Sequence, residues 1–158
     1  MIKKIGVFTN SLNRLFLIFP ESIIALISRL AVASVFWRST QTKISGGELF
    51  GQNWKFWSVN ESTVFLFQYE YSLPLLPYKM AAYLATFSEY FLSLAVVLGF
   101  ATRLSALGLL IMTAVIQVFV YPESWSVHIL WAAILVYLIK HGGGKISLDH
   151  LLNKNIPA

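Results

Sequence analysis

Four long apolar stretches dominate the pattern of hydrophobic and polar positions along the chain. They cover residues 21–41, 80–100, 103–121 and 124–141, and none has the polar face that a surface helix of a soluble protein carries. Each contains about 18–21 residues, which at about 1.5 Å per residue spans roughly 30 Å, the thickness of the hydrocarbon core of a bilayer. The pattern therefore predicts four transmembrane helices.

Proline and glycine mark the ends of these stretches. Pro77 precedes the second stretch, and Gly99 with Arg103 marks the break between the second and the third. Pro122 separates the third from the fourth, and a run of three glycines at 142–144 ends the fourth. The last two connections are only a few residues long, so helices two, three and four must be antiparallel neighbours. We expect an all-α fold: one integral membrane four-helix bundle formed by a single domain over residues 1–158.

Two flanking segments need separate interpretation. Residues 1–20 resemble a signal peptide in their two lysines, but polar residues interrupt the apolar run and no cleavage site follows, so we predict a short interfacial segment. Between helices one and two, the pattern over residues 63–71 predicts a short amphipathic or re-entrant helix on the outer side of the membrane. An ordinary interfacial loop fits the same residues.

Composition agrees with a membrane protein. The chain is 57% hydrophobic and only 12% charged, with a mean hydropathy of +0.68, whereas soluble domains carry roughly 25% charged residues. It has no cysteine, which excludes disulfides, thiol relays and cysteine-based metal sites. We expect lipid contacts, no nucleic-acid partner, no metal site and no intrinsic cofactor.

The distribution of cations predicts the topology. With both termini in the cytoplasm, three lysines of the connecting segments lie outside and seven cations lie inside, as the positive-inside rule favours. The sequence thus predicts a multi-pass protein of the bacterial inner membrane. The outside set is Lys43, Lys55 and Lys79, and the inside set is Lys3, Lys4, Arg14, Arg103, Lys140, Lys145 and Lys154.

Glu89 lies near the middle of the second apolar stretch. A charged side chain at that depth costs about 2.5–3.5 kcal/mol on the insertion scale and normally has a partner or a function. Counting residues from the membrane boundaries places Arg29 of helix one at a similar depth, and small residues flank both positions. We therefore predict a buried Arg29–Glu89 ion pair, either as a structural link between helices or with Glu89 as a candidate catalytic, proton-handling carboxylate.

A second polar group is predicted near the outer boundary. Arg38, Gln117 and His128 should lie at similar height under the long loop, where Glu70 can reach them. A histidine beside an arginine, a glutamine and a carboxylate can hold the head group of a quinone, so these four are candidate ligand-binding residues. A lone histidine near the interface is also commonly a hydrogen-bonded residue without further function.

The chain resembles the DoxX family of small four-helix bacterial membrane proteins over roughly residues 27–152. The resemblance is carried by "SRLAVASVFWRSTQTKI", by "FQYEYSLPLLPYKMAAYLATFSEYFLSLAVVLGF", by the "ATRLSALGLLIMTAVIQVFVYP" that follows, and by "HGGGKISLDHLL". Relatives often have Gly-Pro-Gly where this chain has three glycines. The family name comes from a subunit of an archaeal thiosulfate:quinone oxidoreductase, and other members resemble membrane partners of redox-stress systems or accompany clusters for metal-binding peptides.

The resemblance implies a membrane subunit, or partner, of a quinone-linked oxidoreductase or redox-stress system, with quinone as candidate ligand and a redox protein as partner. Any catalytic role is expected to be that of an oxidoreductase subunit, not of a self-contained enzyme. The alternative is a non-catalytic membrane scaffold or small transport component in a metal or peptide stress response. Thiosulfate is not implied as the substrate.

Overall fold

The computed structural model describes residues 19–71 and 76–153. The predicted interfacial segment over residues 1–20 lies outside them, apart from Phe19 and Pro20. Within the described ranges the chain is helical, with isolated β-bridges in one loop and no strand.

The described residues form six α-helices: α1 Glu21–Lys43, α2 Glu61–Tyr69, α3 Tyr78–Leu98, α4 Thr102–Val115, α5 Trp125–His141 and α6 Leu148–Asn153. A π-helical turn, Ile116–Val120, prolongs α4, and a 3₁₀ turn, Pro122–Ser124, leads into α5. Within residues 19–71 and 76–153, four helical segments are long and apolar enough to cross a membrane: Glu21–Lys43, Tyr78–Leu98, Thr102–Val120 and Pro122–His141. The predicted all-α fold with four membrane spans is confirmed, and α2 is the predicted short helix between the first two spans.

The four spans run up and down and close into a bundle. α1 packs on α3, α3 on α4, α4 on α5, and α5 returns to α1. Their shared core consists of Val32, Ala33, Phe36, Val96, Ala106, Leu109, Leu135 and Leu138. Many large apolar side chains on the outer faces of the spans are exposed, including Leu104, Ile111 and Leu130. Such an apolar exterior is what a bilayer solvates, and the chain is a multi-pass membrane protein.

The two ends of the bundle differ. The loop end carries residues 44–71 and 76–77, and the turn end carries the α3–α4 turn at 99–101 and the segment 142–147 that follows α5. At the turn end, Gly99 ends α3 in a left-handed conformation with φ of 69°. A Cβ at this position would lie 2.5 Å from the Cβ of Ser147 and 2.9 Å from the Cζ of Arg29, so the contact between the α3–α4 turn and the C-terminal segment requires glycine.

Asp149 also stabilises the turn end, because its side chain binds the start of α4. Its carboxylate accepts hydrogen bonds from the backbone N–H groups of Ala101 and Thr102, at 2.7 and 2.8 Å, and from the Thr102 hydroxyl at 2.7 Å. The first N–H groups of a helix have no partner within the helix, and a carboxylate there also interacts favourably with the helix dipole. Asp149 is therefore an N-terminal cap supplied to α4 from α6.

Candidate functional site

Glu89 is buried in α3 and pairs with Lys43, the last residue of α1. The Lys43 Nζ donates hydrogen bonds to both carboxylate oxygens, at 3.0 and 2.8 Å, and also to the Ser39 Oγ. Glu89 is 3% exposed and the Lys43 side chain 15%. These three bonds can use all three N–H groups of the ammonium, whose Nζ also lies 3.5 Å from the Ser39 carbonyl oxygen, so the ammonium is fully hydrogen-bonded.

The predicted Arg29–Glu89 pair is therefore wrong, and the reason is the stagger between α1 and α3. Arg29 lies level with Val96 and Val97, at the very end of α3, because its guanidinium bonds to their carbonyl oxygens. Glu89 precedes Val96 by seven residues in α3 and therefore lies roughly 10 Å nearer the loop end. The sequence-based estimate assumed that α1 begins level with the end of α3, but about 12 Å of α1 extends past that point.

Lys43 reaches this depth because helical side chains lean toward the N-terminus of their helix. A lysine in the last turn of α1 thus points back into the bundle, over Ser39, instead of out toward the loop. The topology count placed Lys43 among the outside loop cations, so it was missed as a site residue. Its spacing of four residues from Ser39, with small or polar residues on the same face, is the signal that could have identified it.

Arg29 instead joins three parts of the turn end. Besides Val96 and Val97, it donates to the carbonyl oxygens of Gly143, at 2.9 Å, and Ile146, at 2.5 Å. The carbonyl groups in the last turn of a helix lack partners within it, and the planar guanidinium satisfies two of them together with two in the segment after α5. Arg29 is 2% exposed, and its contacts are those of a structural residue.

The Lys43–Glu89 pair lines a cavity of about 620 Å³ within the bundle. α1, α3 and α4 form the walls, and α2 covers the cavity from the loop end. The lining is predominantly apolar, with side chains such as Leu92, Met112 and Ile116, and the ion pair is its charged group. Sites for small organic ligands commonly have volumes of about 300–1,000 Å³ with apolar walls and a few converging polar groups. This cavity has both properties.

Two tyrosines line the same cavity next to α2. The hydroxyl groups of Tyr71 and Tyr121 are 3.1 Å apart, and their rings meet edge to face with centroids 5.9 Å apart. Burial, together with the hydrogen bond to Tyr121, raises the pKa of the Tyr71 hydroxyl above its ordinary value. The pair joins the end of α2 to the end of the third span, beside the π-helical turn.

The second predicted group is only partly assembled. Gln117 and His128 do meet, with 2.7 Å between the Gln117 Oε1 and the His128 Nδ1. They line a groove of about 220 Å³ between the third and fourth spans. Arg38 and Glu70 are exposed and are not among the residues that line this groove. The predicted convergence of all four side chains is therefore not observed.

The helical period explains the position of Arg38. The buried face of α1 at this level carries Phe36 and Thr40, and Arg38 is two residues from each. Two residues correspond to a rotation of about 200° around a helix, so Arg38 lies on the face turned away from the core. Gln117 and His128, by contrast, lie on either side of a short connection that holds their helices side by side. Gln117 also donates to the Pro122 carbonyl within that connection, at 2.6 Å.

Comparisons with known proteins place the chain in a family. The DoxX family model matches residues 24–122. An uncharacterized protein of Haemophilus influenzae is 29% identical over 140 residues, covering 84% of this chain and 85% of that protein. No solved structure matches significantly. On the match over residues 24–122 and the four membrane-spanning helices, the chain belongs to the DoxX family.

Proposed function

We propose that this DoxX family protein is the membrane subunit, or membrane partner, of a quinone-linked oxidoreductase or redox-stress system, and that it binds the quinone in the cavity beside Glu89. The observation that carries the proposal is a largely apolar cavity of about 620 Å³ with one hydrogen-bonded ion pair in its wall. Quinones combine an apolar tail with a ring that bears oxygen atoms, and they are dissolved in the bilayer that surrounds the bundle.

The hydrogen bonds already made by the Lys43–Glu89 pair favour binding of the reduced form, the quinol. Each N–H group of Lys43 already has an acceptor, so the ammonium has no donor left for a quinone carbonyl. The carboxylate oxygens of Glu89 each accept one bond from Lys43 and have further lone pairs available. The ion pair can therefore accept a hydrogen bond from a hydroxyl group more readily than it can donate one.

Glu89 then has the role of proton acceptor. A bound quinol is oxidised to the quinone by losing two electrons, which an acceptor in the partner protein takes up, and two protons, which the Glu89 carboxylate takes up one after the other, passing the first to water before it accepts the second. The Glu89 carboxylate can take a proton from a hydroxyl group bound to it, and Lys43, held by Ser39, keeps the carboxylate in place before and after the transfer. This chain contributes binding and proton handling in the proposal, and the partner contributes electron transfer.

We further propose that the protein lies in the bacterial inner membrane with both termini on the cytoplasmic side, so that the loop end faces outward. The sequence supports this orientation because seven cations precede the first span, join the second to the third or lie at and after the end of the fourth, against three near the other connections. The cavity, which α2 covers from the loop end, then belongs to the outer half of the membrane.

The second candidate function is a non-catalytic scaffold or small transport component. The observation in its favour is that the Lys43–Glu89 bond joins α1 to α3 and thereby fixes the bundle, whatever occupies the cavity. A scaffold needs no ligand at the pair, and this difference makes the two functions separable.

Binding of a short-chain quinol to the purified protein tests the proposal. The neutral double variant Lys43→Met/Glu89→Leu removes the acceptor without leaving a buried charge unpaired. Because a hydrogen bond to a charged group contributes about 1.5–3 kcal/mol, we expect the Kd to rise roughly 10- to 100-fold. The matched control is Arg38→Gln, which changes an exposed charge on the same helix and should leave the Kd unchanged.

Three results would contradict the proposal. Wild-type protein that binds no quinol favours the scaffold. An unchanged Kd in the double variant would move the ligand away from the ion pair. A loss of quinol binding in Arg38→Gln alone would place the binding site on the outer face of α1.

A further inference from the structure

The loop between α1 and α2 contains an aromatic hairpin, residues 46–57, that lies along the side of the bundle. Gln52 accepts a hydrogen bond from the Trp37 Nε1 at 2.8 Å, and the backbone N–H of Asn53 donates to the Gln41 Oε1 at 2.6 Å. Trp54 packs on Trp37 with ring centroids 5.5 Å apart. The hairpin is thus attached to side chains in the last two turns of α1.

The depth of the hairpin follows from its contacts with α3. Phe56 packs against Phe87, Tyr90 and Phe91, with ring centroids 5.7, 5.3 and 5.0 Å apart. Tyr90 is twelve residues from the first residue of α3 and eight from the last, or roughly 18 and 12 Å along the axis. With its 21 residues, α3 is only about as long as the hydrocarbon core is thick, so its middle lies within the core. Phe56 is therefore at hydrocarbon depth.

The tip of the hairpin presents an aromatic side chain away from the protein. Leu49 and Gln52 exchange backbone hydrogen bonds of 2.9 and 3.0 Å around a two-residue turn. Phe50, the first residue of that turn, has a φ of 52° and is 93% exposed. Turns with positive φ at both central residues favour asparagine, aspartate or glycine at this position. A strained phenylalanine without protein contacts gains stability only from an apolar environment outside the chain.

We propose that the aromatic hairpin is a re-entrant segment whose tip, Phe50, is inserted into the hydrocarbon of the bilayer. The bilayer is the partner that the contacts favour, since the hairpin is at the depth of the middle of α3 and is continuous with its lipid-facing side, where Phe91 is 50% exposed. Trp57 is a second exposed apolar side chain of the hairpin, at 58%. The hairpin also carries two exposed charged side chains, Glu48 and Lys55, which must extend toward the membrane surface when the tip is inserted. The hairpin covers the seam between α1 and α3 on the side opposite the cavity, so the proposal is independent of quinone binding.

Because the chain contains no cysteine, single-cysteine variants test the proposal without background labelling. The variants are Phe50→Cys and Trp57→Cys, with Leu130→Cys in the fourth span as the lipid-facing reference and Glu123→Cys, in the turn that begins the fourth span, as the aqueous reference. In intact membranes we expect a water-soluble maleimide to label the two hairpin variants at least about tenfold more slowly than Glu123→Cys, since a thiol in lipid does not ionise. Labelling in SDS measures the total thiol.

Spin labels at the same positions identify what surrounds the tip. The proposal predicts that labels at Phe50 and Trp57 collide often with oxygen and rarely with a water-soluble nickel chelate, as at Leu130. Rapid maleimide labelling, equal to that of Glu123→Cys, would overturn it. Slow labelling combined with protection from both oxygen and nickel would also overturn it, since the tip would then be covered by protein, either a partner or a second copy of this chain.

Discussion

Replacing Arg29 with lysine is expected to loosen the turn end of the bundle. Arg29 donates four hydrogen bonds to backbone carbonyl oxygens, two in the last turn of α3 and two in the segment after α5. Lysine keeps the charge but gathers its donors on one atom, so it can reach no more than two of four acceptors that are spread around a planar guanidinium.

The size of the effect can be worked out from these bonds. Losing two hydrogen bonds from a charged donor at a buried site, at about 1.5–3 kcal/mol each, lowers the free energy of unfolding by roughly 3–6 kcal/mol. For a chain of this length, each kcal/mol shifts the melting temperature by about 2–4 °C. We therefore expect the apparent melting temperature of Arg29→Lys to fall by roughly 6–24 °C.

The measurement is thermal unfolding of the detergent-purified protein, followed by the loss of the monodisperse peak in size-exclusion chromatography. The matched control is Arg38→Lys, the same chemical change at an exposed position of the same helix, which should shift the free energy of unfolding by less than about 0.5 kcal/mol. A melting temperature for Arg29→Lys that equals that of the control would refute the assignment of Arg29 as the residue that holds this end together.

Three further changes have defined outcomes in the same assay. Gly99→Ala places a Cβ against two neighbours in a left-handed turn and should destabilise strongly, whereas Gly51→Ala, with φ of 73° but no atom within 4 Å, should cost only about 1 kcal/mol; equal effects would argue against the close contact at Gly99. Asp149→Asn weakens the cap of α4 and should cost about 1–2 kcal/mol, and an unchanged melting temperature would contradict the cap. Lys43→Met alone leaves the Glu89 carboxylate unpaired and should cost about 3–5 kcal/mol, with much of the loss restored when Glu89→Gln is added; additive losses would show that the two side chains are not coupled.

The sequence predicted the four spans because apolar stretches of membrane length leave little choice of structure. It also predicted that Gln117 and His128 lie close together, since a short connection between antiparallel helices fixes their relative height. Neither inference needs any knowledge of how distant helices pack. The short helix α2 could also be predicted, because its aromatic and polar residues follow a helical pattern over residues 63–71.

The partner of Glu89 could not be predicted from the sequence in the same way. The heights of Arg29 and Glu89 depend on the stagger of α1 against α3, and the contacts at the turn end determine that stagger, not the lengths of the apolar stretches. The lysine that replaces Arg29 as partner sits in the last turn of α1, where a count of loop charges assigns it to solvent. The path of the aromatic hairpin down the side of the bundle likewise depends on contacts between residues distant in sequence.

Photo-crosslinking of a short-chain azidoquinone to the purified protein, followed by peptide mapping, tests the central claim most directly. The account predicts crosslinks on residues that line the cavity, such as Ser88, Leu92 and Met112, and predicts that excess unlabelled quinol suppresses them. Crosslinks confined to the groove at Gln117 and His128, or crosslinks in the cavity that unlabelled quinol leaves unchanged, would contradict it.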